Sequence, residues 1–170
     1  MNPRTVTHQL PLFPAAELAE PPKLETVARY RLDLVEEATT PYRADVAMDR
    51  PAAAAAWISA QIARRPQEHM IAAYLNTRQR LIGWTIAHIG TINRAAAEPR
   101  TILQIGLQLN AVGFILAHNH PSGDPAPSAE DIAFTRRIAE AGEIVGVRLV
   151  DHLIIGAAER WVSLRRGGGW

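Results

Sequence analysis

The stretch 112–131 reads VGFILAHNHPSGDPAPSAED and passes from a buried strand through a rigid turn into a helix. VGFILA (112–117) is apolar at consecutive positions, which is typical of a central strand that helices cover on both faces. His118 and His120 follow this strand directly. Side chains two positions apart on a strand point to the same side, so the two imidazoles are predicted to project together.

A tight turn and a helix start come next. Three prolines and a glycine within residues 121–127 predict a stiff reversal of the chain. Ser128 and Asp131 have the spacing of a serine N-cap and an acidic third helical residue, close to the capping-box pattern. The cap alone explains both residues. The same carboxylate would also lie near the strand tip, where two histidines and a carboxylate are typical of a catalytic zinc site.

The rest of the chain alternates predicted strands and helices, which indicates a three-layer α/β or α+β sandwich. Residues 1–26 are rich in proline and lack periodicity, so they are predicted to be a flexible tail ahead of a domain at 27–170. Hydrophobic patterning predicts strands at 28–37, 69–76, 81–90, 147–156 and 161–164, and helices at 49–65, 99–110 and 128–145.

The composition is that of an ordinary globular domain. Of 170 residues, 48% are hydrophobic and 21% charged, and the net charge of +1 gives no signal for nucleic-acid binding. The chain has no cysteine, which excludes disulfides and thiolate metal sites. No apolar run has the length of a signal peptide or a membrane span, so a cytoplasmic location is predicted.

The N-terminal region contains one isolated apolar pentapeptide, QLPLF (9–13). It resembles the pentapeptide by which many bacterial DNA-processing proteins bind the replication sliding clamp. The resemblance implies the clamp as a partner, bound through Gln9, Leu10, Leu12 and Phe13. A tail without function and a segment that docks on its own domain are the alternatives.

A longer motif carries a second resemblance. His118, His120, Ser128 and Asp131 stand in the spacing of the JAMM signature of JAB/MPN metalloproteases. HNHPSGDPAPSAED, together with VDHLIIG (150–156), resembles the RadC-like branch of that family, from about residue 28 to the C-terminus. The resemblance implies a JAB/MPN-type three-layer α/β sandwich with a mixed central sheet, similar to that of cytidine deaminases.

The resemblance also implies roles for these residues. One zinc ion would be bound by His118, His120 and Asp131. Ser128 would stabilise an oxyanion or hold a water molecule. The expected activity is the zinc-dependent hydrolysis of a peptide or an isopeptide-linked protein, and the loss of any metal ligand should abolish it.

The family also uses a remote glutamate as general base. Local pattern alone leaves Glu68, Glu98 and Glu130 open. The family places its glutamate at the start of an earlier strand, which implies Glu68, just before the strand at 69–76. Glu68 would accept a proton from water and return it to the leaving amine.

Other functions are less well supported by the residues. A zinc deaminase needs a P-C-x-x-C element, which a chain without cysteine lacks. The letters His-Asn-His are contiguous here, whereas the nuclease motif of that name is spread over a long segment. A non-catalytic adaptor recruited to the sliding clamp through residues 9–13 is the alternative function. His152 lies outside the signature and is predicted to be structural or to support the site.

Overall fold

The computed structural model of the protein describes residues 33–43, 47–48, 50–90 and 98–168. Within them lie three helices, α1 (Pro51–Ile62), α2 (Pro99–Gln108) and α3 (Ala129–Val145). The strands are β1 (His69–Leu75), β2 (Leu81–Ile89), β3 (Gly113–Asn119), β4 (Arg148–Ile155) and β5 (Trp161–Ser163). They form one five-stranded sheet in the order β2-β1-β3-β4-β5.

β3 is the central strand of this sheet. It pairs antiparallel with β1 and parallel with β4, so the sheet is mixed as expected. β1 and β3 are buried at every position. This burial confirms the interpretation of VGFILA as a strand covered on both faces. β1 and β2 pair antiparallel as a hairpin, with β2 at the edge of the sheet.

Two apolar layers cover the two faces of the sheet, because alternate residues of each strand point to opposite sides. On one face, α1 packs through Ala54, Ile58 and Ile62 against Ile71 and Ile115. The opposite layer joins α2 and α3 to the sheet through Met70, Tyr74, Ile102, Phe114, Leu116, Phe134 and Ile138. The two layers confirm the three-layer α/β fold.

The ends of the helices follow from their sequences. Pro51 and Pro99 occupy the first turn of α1 and α2, where a missing backbone N–H costs nothing. α3 begins with the predicted capping box of Ser128 and Asp131. It ends at Gly146, whose φ of 79° is the left-handed conformation that glycine adopts without strain.

One predicted strand is wrong within the described residues. Asp33–Glu37, the described part of the strand predicted at 28–37, has no strand structure. Leu34 and Val35 are 46% and 82% exposed, so the alternating pattern there is not matched by a pairing strand or a packed face. The predicted tail at 1–26, its boundary with the domain, and the QLPLF pentapeptide lie outside the described residues. No helix in the described ranges is long and apolar enough to cross a membrane.

Candidate metal centre

Four residues named from the sequence meet at the end of β3. The His118 Nε2 atom lies 3.0 Å from His120 Nε2 and 3.2 Å from Asp131 Oδ1. His120 Nε2 lies 3.6 Å from Asp131 Oδ2. Glu68 Oε1 is 3.8 Å from His118 Nε2. One ligand atom from each residue lies within 4.8 Å of the others, so the four side chains can share one metal ion.

The turn between β3 and α3 sets the approach of these side chains. Its Gly123 has a φ of +81°, and a Cβ at this position would lie 2.8 Å from the Ala157 Cβ atom. The Gly123 carbonyl accepts hydrogen bonds from the Ala157 N–H at 2.9 Å and the Arg160 guanidinium at 2.7 Å. The His120 N–H donates to the Ile155 carbonyl at 2.9 Å. The turn is therefore held against the loop after β4.

Hydrogen bonds assign the tautomer of His120. Its Nδ1 lies 2.7 Å from the Asp124 carbonyl oxygen, which only accepts, so Nδ1 carries the proton. In the neutral ring Nε2 then carries no proton, and its lone pair points at His118 and Asp131.

A buried chain of hydrogen bonds makes the same assignment for His118. The single hydroxyl proton of Thr135 is donated to the Asp131 carbonyl at 2.6 Å. The 2.6 Å contact between Thr135 Oγ1 and His152 Nδ1 therefore requires His152 Nδ1 to donate. His152 Nε2 is left as an acceptor, and His118 Nδ1 donates to it at 2.9 Å. The Nε2 atom of a neutral His118 is thus also bare and faces the centre.

Two nitrogen lone pairs and a carboxylate that converge this closely need a positive charge between them. Ligand atoms around a tetrahedral ion with bonds of about 2.0–2.1 Å are about 3.3 Å apart. The Nε2 atoms of His118 and His120 are 3.0 Å apart, and Asp131 Oδ1 lies 3.2 Å from His118 Nε2. The donor set therefore fits a divalent metal ion with nitrogen and oxygen ligands.

The family of the chain follows from its sequence. A family model described as "RadC-like JAB domain" matches residues 48–169. The chain belongs to the RadC-like JAB domain family. The match spans all eight helices and strands and includes the whole centre.

Several bacterial proteins resemble this RadC-like JAB domain. The UPF0758 protein YsxA of Bacillus subtilis is 44% identical over 102 residues, which are 60% of this chain and 44% of that protein. A UPF0758 protein of Bacillus licheniformis is 45% identical over 102 residues, again 60% of this chain and 45% of the relative. One of Carboxydothermus hydrogenoformans is 43% identical over 105 residues, 62% of this chain and 46% of its own length. The matched region is thus less than half of each relative.

Two buried side chains at the RadC-like JAB centre, Asp131 and His152, have pKa values that their surroundings shift. Burial raises the pKa of the Asp131 carboxyl, but the hydrogen bond and positive charge of His118 in its protonated form, together with hydrogen bonds from Ser128, outweigh it and hold this pKa well below its usual range. Burial, with His118 beside it, keeps the pKa of His152 well below its ordinary value. His152 therefore stays neutral, as the hydrogen-bond chain requires.

Ser128 lies beside the centre, with its side chain committed to the cap. Its hydroxyl donates to Asp131 Oδ2 at 2.6 Å and accepts from the Asp131 N–H at 3.1 Å. The Ser128 N–H also donates to Oδ2, at 2.8 Å. Ser128 as a whole residue is exposed to solvent. The cap and the centre share one carboxylate.

Among the three candidate glutamates, the structure brings Glu68 to the centre. Glu68 directly precedes β1 and is partly buried, with a side chain that is 15% exposed. Glu98 precedes α2 and Glu130 lies in the first turn of α3, and both are exposed. Neither belongs to the group of possible metal ligands found among the described residues.

The sequence analysis missed two buried polar residues beside the centre. Thr135 lies one helical turn after Asp131, and it is fully buried. Asn119 is 1% exposed and lies between the two histidines. The available signals were a threonine four residues after a candidate ligand and a polar residue at the end of an apolar strand. His152, predicted to be structural or supporting, contacts His118 directly.

Proposed function

We propose that this RadC-like JAB domain is a zinc-dependent hydrolase of peptide or isopeptide bonds. The observation that carries the proposal is the convergence of two bare Nε2 atoms and a buried carboxylate, with a second carboxylate 3.8 Å from His118 Nε2. Three ligands of the His₂-carboxylate type with a free fourth position are typical of catalytic zinc, whereas structural zinc is normally closed by four protein ligands.

The residues have separate roles in this proposal. His118, His120 and Asp131 hold one zinc ion. When bound, zinc supplies a Lewis acid and lowers the pKa of water to about 7. Glu68 lies within reach of the same centre and acts as the general base.

The reaction is a hydrolysis with a simple balance of atoms. A water oxygen forms a bond to the carbonyl carbon while Glu68 takes one of the water protons. The C–N bond breaks, and Glu68 returns the proton to the leaving nitrogen. The products are a carboxylate and an amine. The Ser128 hydroxyl, at the cap of α3, turns from Asp131 to donate to the developing oxyanion.

Metal analysis and a substrate screen test this function together. The purified chain, loaded with Zn²⁺ and dialysed, should hold one ion per molecule, and His118→Ala should hold none. A panel of internally quenched peptides and ubiquitin-like isopeptide conjugates would then be incubated with wild type and Glu68→Ala. Cleavage by the wild type alone supports the proposal. A wild-type protein without stoichiometric zinc contradicts it.

We also propose the replication sliding clamp as a partner, on the basis of QLPLF (9–13) alone. Gln9, Leu10, Leu12 and Phe13 would contact the clamp. Deletion of residues 1–14 should abolish binding to an immobilised clamp and leave zinc content unchanged. Equal binding by the full and the shortened chain would remove both the partner and the adaptor function that depends on it.

A further inference from the structure

Asn119, between the two histidines, directs its side chain away from the metal centre. Its Oδ1 accepts a hydrogen bond from the His69 N–H at 2.8 Å. Its Nδ2 donates to the carbonyls of Arg65 at 3.2 Å and Gln67 at 3.1 Å. Both amide protons and the amide oxygen thus form hydrogen bonds with one short segment, residues 65–69, which contains Glu68.

Besides the Asn119 contacts, the Arg65 N–H donates to the Ile62 carbonyl at 3.0 Å, and His69 Nδ1 lies 3.0 Å from the Gln67 carbonyl. α1 ends at Ile62, residues 63–67 are exposed, and β1 begins only at His69. The backbone pairing of β1 with β3 ends at Met70, which is opposite His118. On the other side, the Glu68 carbonyl accepts from the Gly90 N–H at 2.8 Å. The Asn119 amide therefore replaces the missing strand pairing and sets the path of the chain that carries Glu68.

The hydrogen-bonding pattern needs an amide at this position. Arg65 and Gln67 present carbonyl oxygens and His69 presents an N–H, so the side chain must donate twice and accept once. A carboxylate offers no donor, and a hydroxyl is too short and offers one. Because Asn119 is 1% exposed, water does not readily replace a lost bond.

We propose that Asn119 is a positioning residue that holds Glu68 at the metal centre through the backbone of residues 65–69. This inference rests on the proposed role of Glu68 as the general base. β3 then supports both halves of the site from adjacent positions. His118 faces α3 and supplies a metal ligand, and Asn119 faces the segment after α1 and places the base.

Amide hydrogen exchange tests the structural half of the proposal in the metal-free protein. Asn119→Ala should speed exchange at the His69 amide by about tenfold or more. Asn119→Asp keeps the size and the acceptor but sets an oxygen against two carbonyls, so it should loosen residues 65–69 as well. Exchange as slow as in the wild type, in either folded variant, would overturn the proposal.

Asn76 offers a matched control at the opposite end of β1. Its Oδ1 accepts from the N–H groups of Arg78 at 2.9 Å and Arg80 at 3.1 Å in the β1–β2 turn. Asn76→Ala removes two exposed hydrogen bonds from a side-chain amide to the backbone, far from Glu68. It should leave exchange at His69 within about twofold of the wild type, and a larger change would mean that His69 reports general loosening of β1.

The visible absorption of bound Co²⁺ tests the functional half, because it reports the surroundings of the ion. Asn119→Ala and Asn119→Asp should bind Co²⁺ within about threefold of the wild-type affinity, since the three ligands are kept. Their spectra should shift as that of Glu68→Gln does, whereas Asn76→Ala should match the wild type.

Loosening of residues 65–69 without this shift would overturn the positioning role. A wild type that binds neither Co²⁺ nor Zn²⁺ would instead contradict the proposed function, and the exchange data would still decide whether Asn119 holds the segment.

Discussion

Asp131 and Asp151 are both buried carboxylates, with 2% and 3% exposure, but their surroundings are opposite. Asp131 faces His118 Nε2 at 3.2 Å, and its pKa is held well below the usual range. Asp151 accepts hydrogen bonds from the Ser163 hydroxyl at 2.8 Å and the His152 N–H at 2.7 Å. Burial raises the pKa of Asp151 in spite of these bonds.

Asp151 lies in a polar cluster whose hydrogen bonds are complete, whereas the cluster around Asp131 is incomplete. Around Asp151 every contact is a donor, so the carboxylate needs no ion. Around Asp131 the hydrogen-bond chain leaves two nitrogen lone pairs aimed at the carboxylate. Burial alone therefore does not mark the functional acid. The mark is a carboxylate that faces two bare nitrogen lone pairs, which together require a cation.

The largest expected effect tests this contrast directly. Asp131→Ala removes one of three proposed ligands and should weaken zinc affinity by about a thousandfold or more. Asp151→Asn is the matched control and should bind zinc as the wild type does. Competition with a chelator of known affinity measures both. The contrast fails if the two variants lose affinity equally, or if Asp131→Ala keeps one tightly bound ion.

Glu68→Gln should lower the turnover of a cleaved peptide or isopeptide by about 10²–10⁴-fold, because the amide cannot accept the water proton. Zinc affinity should stay within about threefold of the wild type. The pair of measurements distinguishes a base from a fourth ligand. A loss of affinity greater than tenfold would mean that Glu68 binds the metal as a fourth ligand. Because a site closed by four protein ligands is typical of structural zinc, the zinc would then be structural.

Much of the fold was accessible from the sequence because its signals are local. The apolar runs at 69–75 and 113–117, the prolines in the first turns of α1 and α2, and the capping box at Ser128 each predict an element from neighbouring residues. The same patterning failed at 33–37. Alternation there predicts a strand, but a strand also needs a partner, which alternation does not report.

The residues of the site also differ in whether local sequence pattern could identify them. His118 and His120 share a face because of strand geometry, and Asp131 follows after one stiff turn. Glu68 is fifty residues earlier in the chain than His118, and only the family resemblance selected it. The roles of Thr135 and Asn119 depend on contacts across the sheet, such as the 2.8 Å bond from His69 N–H to Asn119 Oδ1, so local pattern did not reveal them.

Thr135→Val tests whether the buried chain behind His118 supports the centre. The change keeps the shape but removes the acceptor for His152 Nδ1, which is then buried without a partner. We expect zinc affinity to fall about 10–100-fold, as is typical when a partner of a metal-binding histidine is lost. The unfolding free energy of the metal-free protein should fall by about 1–3 kcal/mol.

Thr101→Val, at an exposed position on α2, controls for the loss of a hydroxyl. It should leave both zinc affinity and stability near the wild-type values. If Thr135→Val loses stability but binds zinc normally, the buried chain belongs to the core and does not orient His118.

Asp151→Asn should have the smallest effect, and its sign depends on pH. The folded-state pKa of Asp151 is raised above the ordinary value of 3.8, so the charged form is disfavoured by folding. The contribution of the carboxyl to stability is therefore fully present below that ordinary value and is lost as pH rises through the folded-state pKa.

Asparagine keeps the oxygen that accepts from His152 N–H and carries no charge. Chemical denaturation of the two metal-free proteins should show the wild type losing stability relative to Asp151→Asn as pH rises above the ordinary value of 3.8. At pH 7 the variant should be equal to the wild type or more stable by up to about 1 kcal/mol. A variant that is several kcal/mol less stable at pH 7 would show that the donors around Asp151 need its charge, and that the two carboxylates are more alike than their surroundings indicate.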